Sequence, residues 1–246
     1  MSKAISRTNA VIESGESKKG ASNTLQFVLV AIAIVAIGVL AFAAHTTPYW
    51  DFDLSIAHAL QSIQAPWFDA LMHGVGIPGY PPQVYVWLAV VLLGLWFTGR
   101  RWEAVSLLFV TIGIGALGLA IKIPVDRPRP SPQLIQVANP ALDGGKYSFP
   151  AGHVEVFVAI FGFFIYLIYK ASPRQWWHYV LVVLFAVMIL GIGPSRIYVG
   201  EHWFSDVVGA YIVGAVWLWV SIRFYEWGKD RFFKEKQASV STARAN

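Results

Sequence analysis

Cysteine is absent from this sequence, and charged side chains are scarce. Without cysteine, the chain can form neither a disulfide nor a thiolate metal site. Charged residues make up 13% of the 246 residues and hydrophobic residues 56%, whereas a soluble domain carries about 25% charged residues. The mean hydropathy is +0.54. This composition predicts a polytopic membrane protein with little room for a separate soluble domain.

Acidic residues are few as well, at fourteen against nineteen lysines and arginines, so the formal net charge is +5. The carboxylates do not cluster as a metal site would require, and we expect no metal. A basic chain could bind nucleic acid, but in a membrane protein the simpler cause is a set of basic cytoplasmic loops. We therefore expect the chain to lie in the bilayer and not to bind nucleic acid. The sequence leaves its oligomeric state open.

Six apolar segments alternate with polar ones along the chain. They predict an all-α fold of six transmembrane helices, with short interfacial helices between the first and second, where residues 53–75 mix apolar and polar side chains. A cleaved signal peptide is the competing interpretation of the first segment, but that segment and its polar leader are long for one. The six segments span residues 25–44, 83–98, 104–121, 154–169, 179–194 and 207–222.

The polar ends of the chain are interpreted as tails around one membrane domain. Residues 1–23 are expected to form a flexible cytoplasmic tail, residues 24–228 the six-helix domain, and residues 229–246 a basic cytoplasmic tail. With six spans, fourteen of the nineteen lysines and arginines fall on the side of the two termini. The positive-inside rule then predicts an integral cell-membrane protein with both termini cytoplasmic.

Basic residues on the opposite, outer side concentrate in the loops that carry the candidate chemistry. Lys122, Arg127 and Arg129 follow the third span. Converging cations can hold a phosphate through point-charge and bidentate contacts. Snorkelling toward lipid headgroups is the alternative, and it accounts for Lys122 better than for two spaced arginines. Asp126 and Arg127 are expected to pair or to shape the loop.

The fourth span starts with Pro150-Ala151-Gly152-His153. Proline and glycine favour a turn that exposes backbone N–H groups just before a helix, and a phosphate can rest there. His153 in the first turn could act as a general acid toward a leaving oxygen. A single histidine at a membrane interface is more often only solvated or capping. Glu155 follows closely, and its orientation is left open.

The sixth span starts after a segment that holds Arg196, His202 and Asp206. If that segment is helical, His202 and Asp206 share a face, and the carboxylate can bind one imidazole nitrogen while the other stays free to attack. Arg196 adds a planar cation suited to phosphate oxygens. Glu201 is expected to be solvated at the rim. All three clusters fall on one side of the membrane, which favours a single shared site.

The three clusters also resemble known motifs. Lys122-x6-Arg129-Pro130, Pro150-x-Gly152-His153 and Ser195-Arg196-x5-His202-x3-Asp206 are similar to the three signature motifs of the type 2 phosphatidic acid phosphatase superfamily. The resemblance covers roughly residues 50–225. That superfamily also contains vanadium haloperoxidases and bacterial glucose-6-phosphatase-like enzymes.

The resemblance implies a role for each matching residue. His202 would attack phosphorus to form a phosphohistidine, Asp206 would orient His202, and His153 would protonate the leaving group and then activate water. The remaining residues would bind the phosphoryl oxygens through cations and backbone N–H groups, and no metal or other cofactor is implied. These residues are Lys122, Arg129, Arg196, Ala151 and Gly152.

Ala151 departs from the family pattern, which usually has serine at this position. The missing hydroxyl would donate one hydrogen bond to the phosphate, and losing one preorganised donor can lower a rate by about 10²–10³. The leading hypothesis is a metal-independent lipid phosphatase with its site at the extracytoplasmic face. Undecaprenyl diphosphate, phosphatidate and phosphatidylglycerophosphate are the candidate substrates.

Three other functions are alternatives to a phosphatase. A weakened or inactive phospholipid-binding relative is the main alternative, and Ala151 is its only support. A haloperoxidase would need vanadate in the same pocket, and its known relatives are typically soluble. A transporter would be expected to carry polar residues at mid-membrane, and these spans carry almost none.

Overall fold

The computed structural model describes residues 2–138, 146–171 and 175–245, and it describes side chains within residues 24–138, 146–171 and 175–233. Over these ranges the chain is a bundle of α-helices joined by turns and loops, so the predicted all-α fold is confirmed. The helices are α1 (Ser2–Thr46), α2 (Asp51–Gln61), α3 (Pro66–Gly76), α4 (Gln83–Phe97), α5 (Arg101–Val125), α6 (Gly152–Lys170), α7 (Trp176–Tyr198) and α8 (Phe204–Ala245).

Five helices are long and apolar enough to cross a membrane alone: α5, α6, α7, and the Thr24–Thr46 and Phe204–Phe233 parts of α1 and α8. Helix α4 agrees with the predicted second span, residues 83–98, to within one residue, but its 15 residues are too few to cross a membrane alone. It completes a sixth span only together with Pro66–Gly79, from which it is bent by 54°. Three prolines between Ile77 and Gln83 account for the break, since proline removes a backbone donor and disrupts helical bonding.

The helix α1 begins at Ser2 and is continuous into the first span. It therefore includes almost all of residues 1–23, for which the sequence predicts a tail. The helix α8 likewise continues beyond the last span to Ala245. The division of the chain into two tails and one membrane domain remains a prediction.

Helix α6 is the centre of the bundle. It packs against α5, α7 and α8, and α8 in turn packs against α1 and α5. Its apolar side chains are buried over most of its circumference, whereas the apolar side chains of α1 are largely exposed, as expected for a helix that faces lipid. The buried side chains of α6 include Val154, Phe157, Val158, Ala159, Ile160, Phe161 and Phe163.

Three breaks in the helices lie at the same end of this bundle. Helix α5 closes at Asp126, which is left-handed with a φ of 46° and bonds back to the Lys122 carbonyl. Helix α6 starts directly after Pro150-Ala151. Helix α7 ends in a turn at Gly200, whose φ is +73° and whose hypothetical Cβ would lie 2.1 Å from the Gln136 carbonyl oxygen. Only glycine fits this turn, and it brings the following residues back over the bundle.

Candidate active site

A cavity of about 400 Å³ opens at this end of the bundle. Five of the eight predicted site residues line it: Lys122, Arg129, Gly152, His153 and His202. Arg196, Asp206 and Ala151 do not line it, and each is fully buried behind it. The three motifs therefore meet, but only part of each motif reaches the open space.

His202 presents one nitrogen to the cavity and uses the other for anchoring. Its side chain is buried, and Nδ1 lies 2.8 Å from the carbonyl oxygen of Ser148. A carbonyl oxygen can only accept, so this contact assigns the proton to Nδ1 and leaves a lone pair on Nε2. Burial lowers the pKa of the imidazole to about 4, although the Asp206 carboxylate acts in the opposite direction. The ring is therefore neutral at pH 7, as a nitrogen nucleophile must be.

The Asp206 carboxylate lies near His202 without bonding to it directly. The distance from Oδ2 to Nδ1 is 3.8 Å, which is longer than a hydrogen bond. Oδ2 instead accepts from the Ser148 hydroxyl at 2.5 Å and from the backbone N–H of Trp203 at 2.9 Å. In this structure, Ser148 is thus the intermediary that holds the carboxylate on one side and the imidazole on the other. Ser148 was not among the residues singled out from the sequence.

Arg127 is the centre of a buried ion network, and the expectation that it pairs with Asp126 is wrong. Its guanidinium is fully buried and bonds Asp206 Oδ1 at 2.5 Å and Asp53 Oδ2 at 2.9 Å. It also donates to the Ser205 hydroxyl at 2.7 Å. Asp126 bonds Lys146 at the surface instead, at 3.1 Å.

Asp53 ties the interfacial helix α2 to the start of α8. Besides Arg127, it accepts from the backbone N–H of Ser205 at 2.8 Å and from the Ser205 hydroxyl at 2.9 Å. The guanidinium of Arg127 also lies 4.6 Å from the ring of Trp50, within cation–π range. Arg127 and Asp53 therefore fix Asp206 from behind, although neither faces the cavity.

His153 is the second histidine at the cavity. Within the described part of the chain, its Nε2 is buried and has no hydrogen-bond partner. The ring packs edge-on against Tyr80, with centroids 4.6 Å apart, and a Cβ on Gly79 would lie 2.3 Å from its Cδ2. The position of this ring thus depends on the turn that follows α3, and its nitrogen can accept or donate a hydrogen bond to a ligand in the cavity.

Two cations reach the cavity from the α5 side. The Lys122 ammonium donates to the Pro150 carbonyl oxygen and lies 3.4 Å from that of Tyr147. Arg129 donates to the Glu201 carbonyl oxygen at 3.0 Å. Their partners are neutral carbonyls, so both keep positive charge available for an anion. The Ala151 N–H is not available in the same way, because it bonds the Asp206 carbonyl oxygen at 3.3 Å.

Arg196 is already paired in this structure. Its guanidinium bonds Glu201 Oε2 at 3.0 Å and Ser195 Oγ at 2.9 Å, and it also donates to the Tyr80 hydroxyl. The Tyr80 hydroxyl in turn donates to the other oxygen of Glu201. The expectation of a solvated Glu201 is wrong, since its side chain is buried. Burial raises the pKa of that carboxyl, but Arg196 and the Tyr80 hydrogen bond, with smaller contributions from the two histidines, together hold the pKa below its usual value.

Metal binding has no clear candidate here, since no group of three histidines, aspartates or glutamates converges as a ligand set within the described ranges. The chemistry that the cavity can support comes from two imidazole nitrogens and two cations. An apolar bundle that opens on such a cavity is the architecture of an integral-membrane protein with a site suited to an anionic group.

Comparison with known proteins then identifies the family. The sequence profile of the PAP2 superfamily matches residues 103–230, more than half of the chain, and the chain belongs to that superfamily. Phosphatidylglycerophosphatase B of Bacillus subtilis is 26% identical over 199 residues, covering 80% of this chain and 94% of the relative. The undecaprenyl-diphosphatase of Sulfolobus acidocaldarius is 29% identical over 141 residues, covering 56% and 61% of the two chains.

A solved structure shares the fold. The crystal structure of a transmembrane PAP2-type phosphatidylglycerolphosphate phosphatase from Bacillus subtilis matches with a TM-score of 0.68 at 23% identity. The match covers 80% of this chain and 96% of the other. The resemblance drawn from the three motifs is therefore confirmed, and the relatives are membrane lipid phosphatases.

Proposed function

We propose that this chain is a metal-independent lipid phosphatase that hydrolyses a lipid phosphomonoester or diphosphate. The observation that carries the proposal is a pair of imidazole nitrogens at one cavity with Lys122 and Arg129. Within the described ranges Nε2 of His153 has no hydrogen-bond partner, and the Nδ1 contact of His202 leaves a lone pair on its Nε2. A phosphoryl group held between the two histidines would meet a nucleophile on one side and an acid on the other. The cations would neutralise the charge that its oxygens carry.

The first half-reaction transfers the phosphoryl group to the protein. Nε2 of His202 attacks phosphorus, and a P–N bond forms as the P–O bond to the leaving group breaks. His153, protonated when the dianionic phosphate binds beside it, gives its proton to the leaving oxygen. The Ser148 carbonyl oxygen accepts a hydrogen bond from Nδ1–H throughout. The Asp206 carboxylate lies close enough to stabilise the positive charge that develops on the ring.

The second half-reaction releases phosphate. The neutral His153 removes a proton from water, whose oxygen attacks phosphorus and breaks the P–N bond. His202 returns to its neutral form and inorganic phosphate leaves. Arg196 would contribute to this site only if its guanidinium exchanged the Glu201 carboxylate for phosphate oxygens, which offer the same bidentate geometry.

The lipid tail is proposed to enter sideways from the bilayer. Below the histidines, the same cavity is lined by apolar side chains of α4 and α6 and by a glycine of α5, namely Leu88, Val156, Ile160 and Gly115. The site is placed at the extracytoplasmic face, with both termini in the cytoplasm, on the strength of the lysine and arginine distribution. Undecaprenyl diphosphate, phosphatidate and phosphatidylglycerophosphate remain the candidate substrates.

The test is phosphate release in detergent with EDTA present. Release that persists in EDTA and disappears in His202→Ala supports the metal-free phosphohistidine route. The matched variant Ala151→Ser restores the usual hydroxyl and tests the alternative of a weakened phosphatase. If the chain and Ala151→Ser both bind these lipids but release no phosphate, the alternative of a lipid-binding relative replaces the enzyme.

A further inference from the structure

Glu155 is a buried carboxyl group in the cavity for which the proposed reaction has no use. It is the fourth residue of α6, its exposed fraction is 2%, and it lines the cavity. Its side chain packs into a gap on α5, where a Cβ on Gly118 would lie 2.0 Å from Oε1. The glycine thus makes room for the carboxyl group at this position.

The carboxyl group has an unused acceptor. Within the described ranges, its Oε2 is buried and has no hydrogen-bond partner. Lys122 lies one turn along α5 from Gly118, but its ammonium donates to the Pro150 carbonyl oxygen. A buried polar atom without a partner is costly, and one that faces a cavity calls for a donor on the ligand.

The depth of Glu155 tells which part of a substrate would pass it. Along the helix axis it lies about 4.5 Å below Gly152, and Ile160 lies about 12 Å below. The histidines and cations are at the top of the cavity, and apolar side chains such as Ile160 are at its bottom. A lipid with its phosphate at His202 and its tail below must therefore pass the carboxyl group with the atoms next to its phosphate.

The chemistry of a carboxylate sorts the possible groups at that position. A hydroxyl or ammonium group would donate to Oε2, whereas an ester would leave it unpaired. A second phosphate would bring further negative charge beside the carboxyl group in a poorly solvated space, which is unfavourable. Lipid phosphates can therefore be divided by the group that they carry at this position: a hydroxyl or amine, an ester, or a second phosphate.

We propose that Glu155 is a specificity-determining residue. It accepts a hydrogen bond from a hydroxyl or amino group on the carbon next to the phosphate-bearing carbon. It thereby selects phosphomonoester lipids with such a donor over phosphatidate, which carries an ester there, and over lipid diphosphates. This inference rests on the proposed function for the placement of the phosphate, and it names the substrate class of that site.

The test compares two ligands that differ by one hydroxyl. They are the non-hydrolysable phosphonate analogues of lysophosphatidate and of its 2-deoxy counterpart, titrated into the full chain in detergent micelles. We expect the hydroxylated ligand to bind about 10- to 100-fold more tightly, because the other ligand leaves a buried acceptor unpaired. Since binding needs no turnover, this readout decides the inference even if the chain releases no phosphate.

Two substitutions separate the acceptor from the charge. Glu155→Leu removes both and is expected to abolish the preference for the hydroxyl. Glu155→Gln keeps an acceptor oxygen, so part of the preference should remain, while farnesyl diphosphate should bind about 10-fold better than to the original chain. Glu226→Gln, the same change on α8, provides the control and should alter neither ratio.

A third variant moves the carboxyl group without changing it. Gly118→Ala puts a methyl group where the carboxyl lies and should weaken the preference, whereas Gly94→Ala on α4, where the new methyl group meets no atom within 4 Å, should keep it. The inference is overturned if the two phosphonates bind equally to the original chain, or if Glu155→Leu retains the preference. Loss of phosphate release alone would instead count against the proposed function.

Discussion

Replacing Arg127 by methionine should lower the stability of the fold without removing any group that faces the cavity. The change leaves the buried carboxylates of Asp53 and Asp206 without their shared cation, which lies 2.9 Å and 2.5 Å from them. Removing one partner of a buried ion pair costs about 3–5 kcal/mol, and here two anions lose theirs. We expect a loss near the upper end of that range, or a fall in Tm of about 10–20 °C.

The assay is thermal unfolding of the purified chain in detergent, together with kcat and KM for phosphate release well below the new Tm. Because Arg127 acts through Asp206, kcat should fall while KM changes little. Two further variants test the ion network of Arg127, Asp53 and Asp206. Adding Asp53→Asn to Arg127→Met removes one unpaired charge and should recover part of the lost Tm. Lys146→Met, which breaks the exposed pair with Asp126 in the same loop, should leave Tm unchanged.

Either of two results would contradict a stabilising role for the Arg127 ion network. One is a Tm for Arg127→Met equal to that of the original chain. The other is a double variant less stable than Arg127→Met alone, which would mean that the unpaired Asp53 carboxylate is not the source of the loss.

Three further changes have defined outcomes. Between pH 4 and 6.5 the unfolded chain should bind a proton at His202 that the native chain does not, because burial lowers the pKa of this histidine to about 4. Stability should therefore rise with pH in this window, and it should rise less in His202→Ala. Measuring Tm against pH for both chains tests this. Ser148→Ala removes the hydroxyl bond to Asp206 but keeps the carbonyl that holds His202, so kcat should fall by about 10-fold or less with KM unchanged, and a complete loss of activity would contradict this division of roles. Gly200→Ala should lower Tm more than Gly99→Ala: both glycines have positive φ, but only the first has a carbonyl in the way, and equal effects in a parallel melt would refute the steric argument.

The spans and the three motifs could be predicted because each depends on residues that are close in sequence. The run of apolar residues is enough for a helix in a bilayer, and the motif that ends at Asp206 is twelve residues long. The broken second span was missed as a pair, since α3 is short and separated from α4 by prolines. Its bend follows from those prolines, which the sequence does display.

The support behind the motifs could not be predicted in the same way. Arg127 reaches Asp53 and Asp206 across 74 and 79 positions of the chain, and no local pattern marks such a pairing. The neighbouring Asp126 was the obvious partner, but it closes α5 in a left-handed conformation and bonds at the surface. Ser148 holds His202 through its backbone carbonyl, an atom that every residue type has, and its hydroxyl reaches Asp206 across 58 positions, so no local pattern marked either contact.

Glu201 offered a signal that sequence reasoning passed over. It stands opposite in charge to Arg196, with Gly200 between them, and a tight turn at that glycine brings the two side chains together. Glu155 could be found but not oriented, since its direction depends on the missing side chain of Gly118 on another helix. A glycine near a charged residue is thus informative in two ways, since it can permit a turn, as Gly200 does, or leave space for a side chain, as Gly118 does.

The bent pair of α3 and α4 and the interfacial helix α2 also define how much of the chain is one indivisible unit. All three motifs lie within residues 103–230, the segment that the superfamily has in common. Yet Asp53 neutralises Arg127, and Gly79 and Tyr80 hold His153 and Arg196 in place, and all three residues precede that segment. A transplant of residues 103–230 into another membrane scaffold would contain every reacting group but would lose the residues that hold those groups in position. The unit that evolution can exchange, or an engineer can graft, must therefore begin before α2.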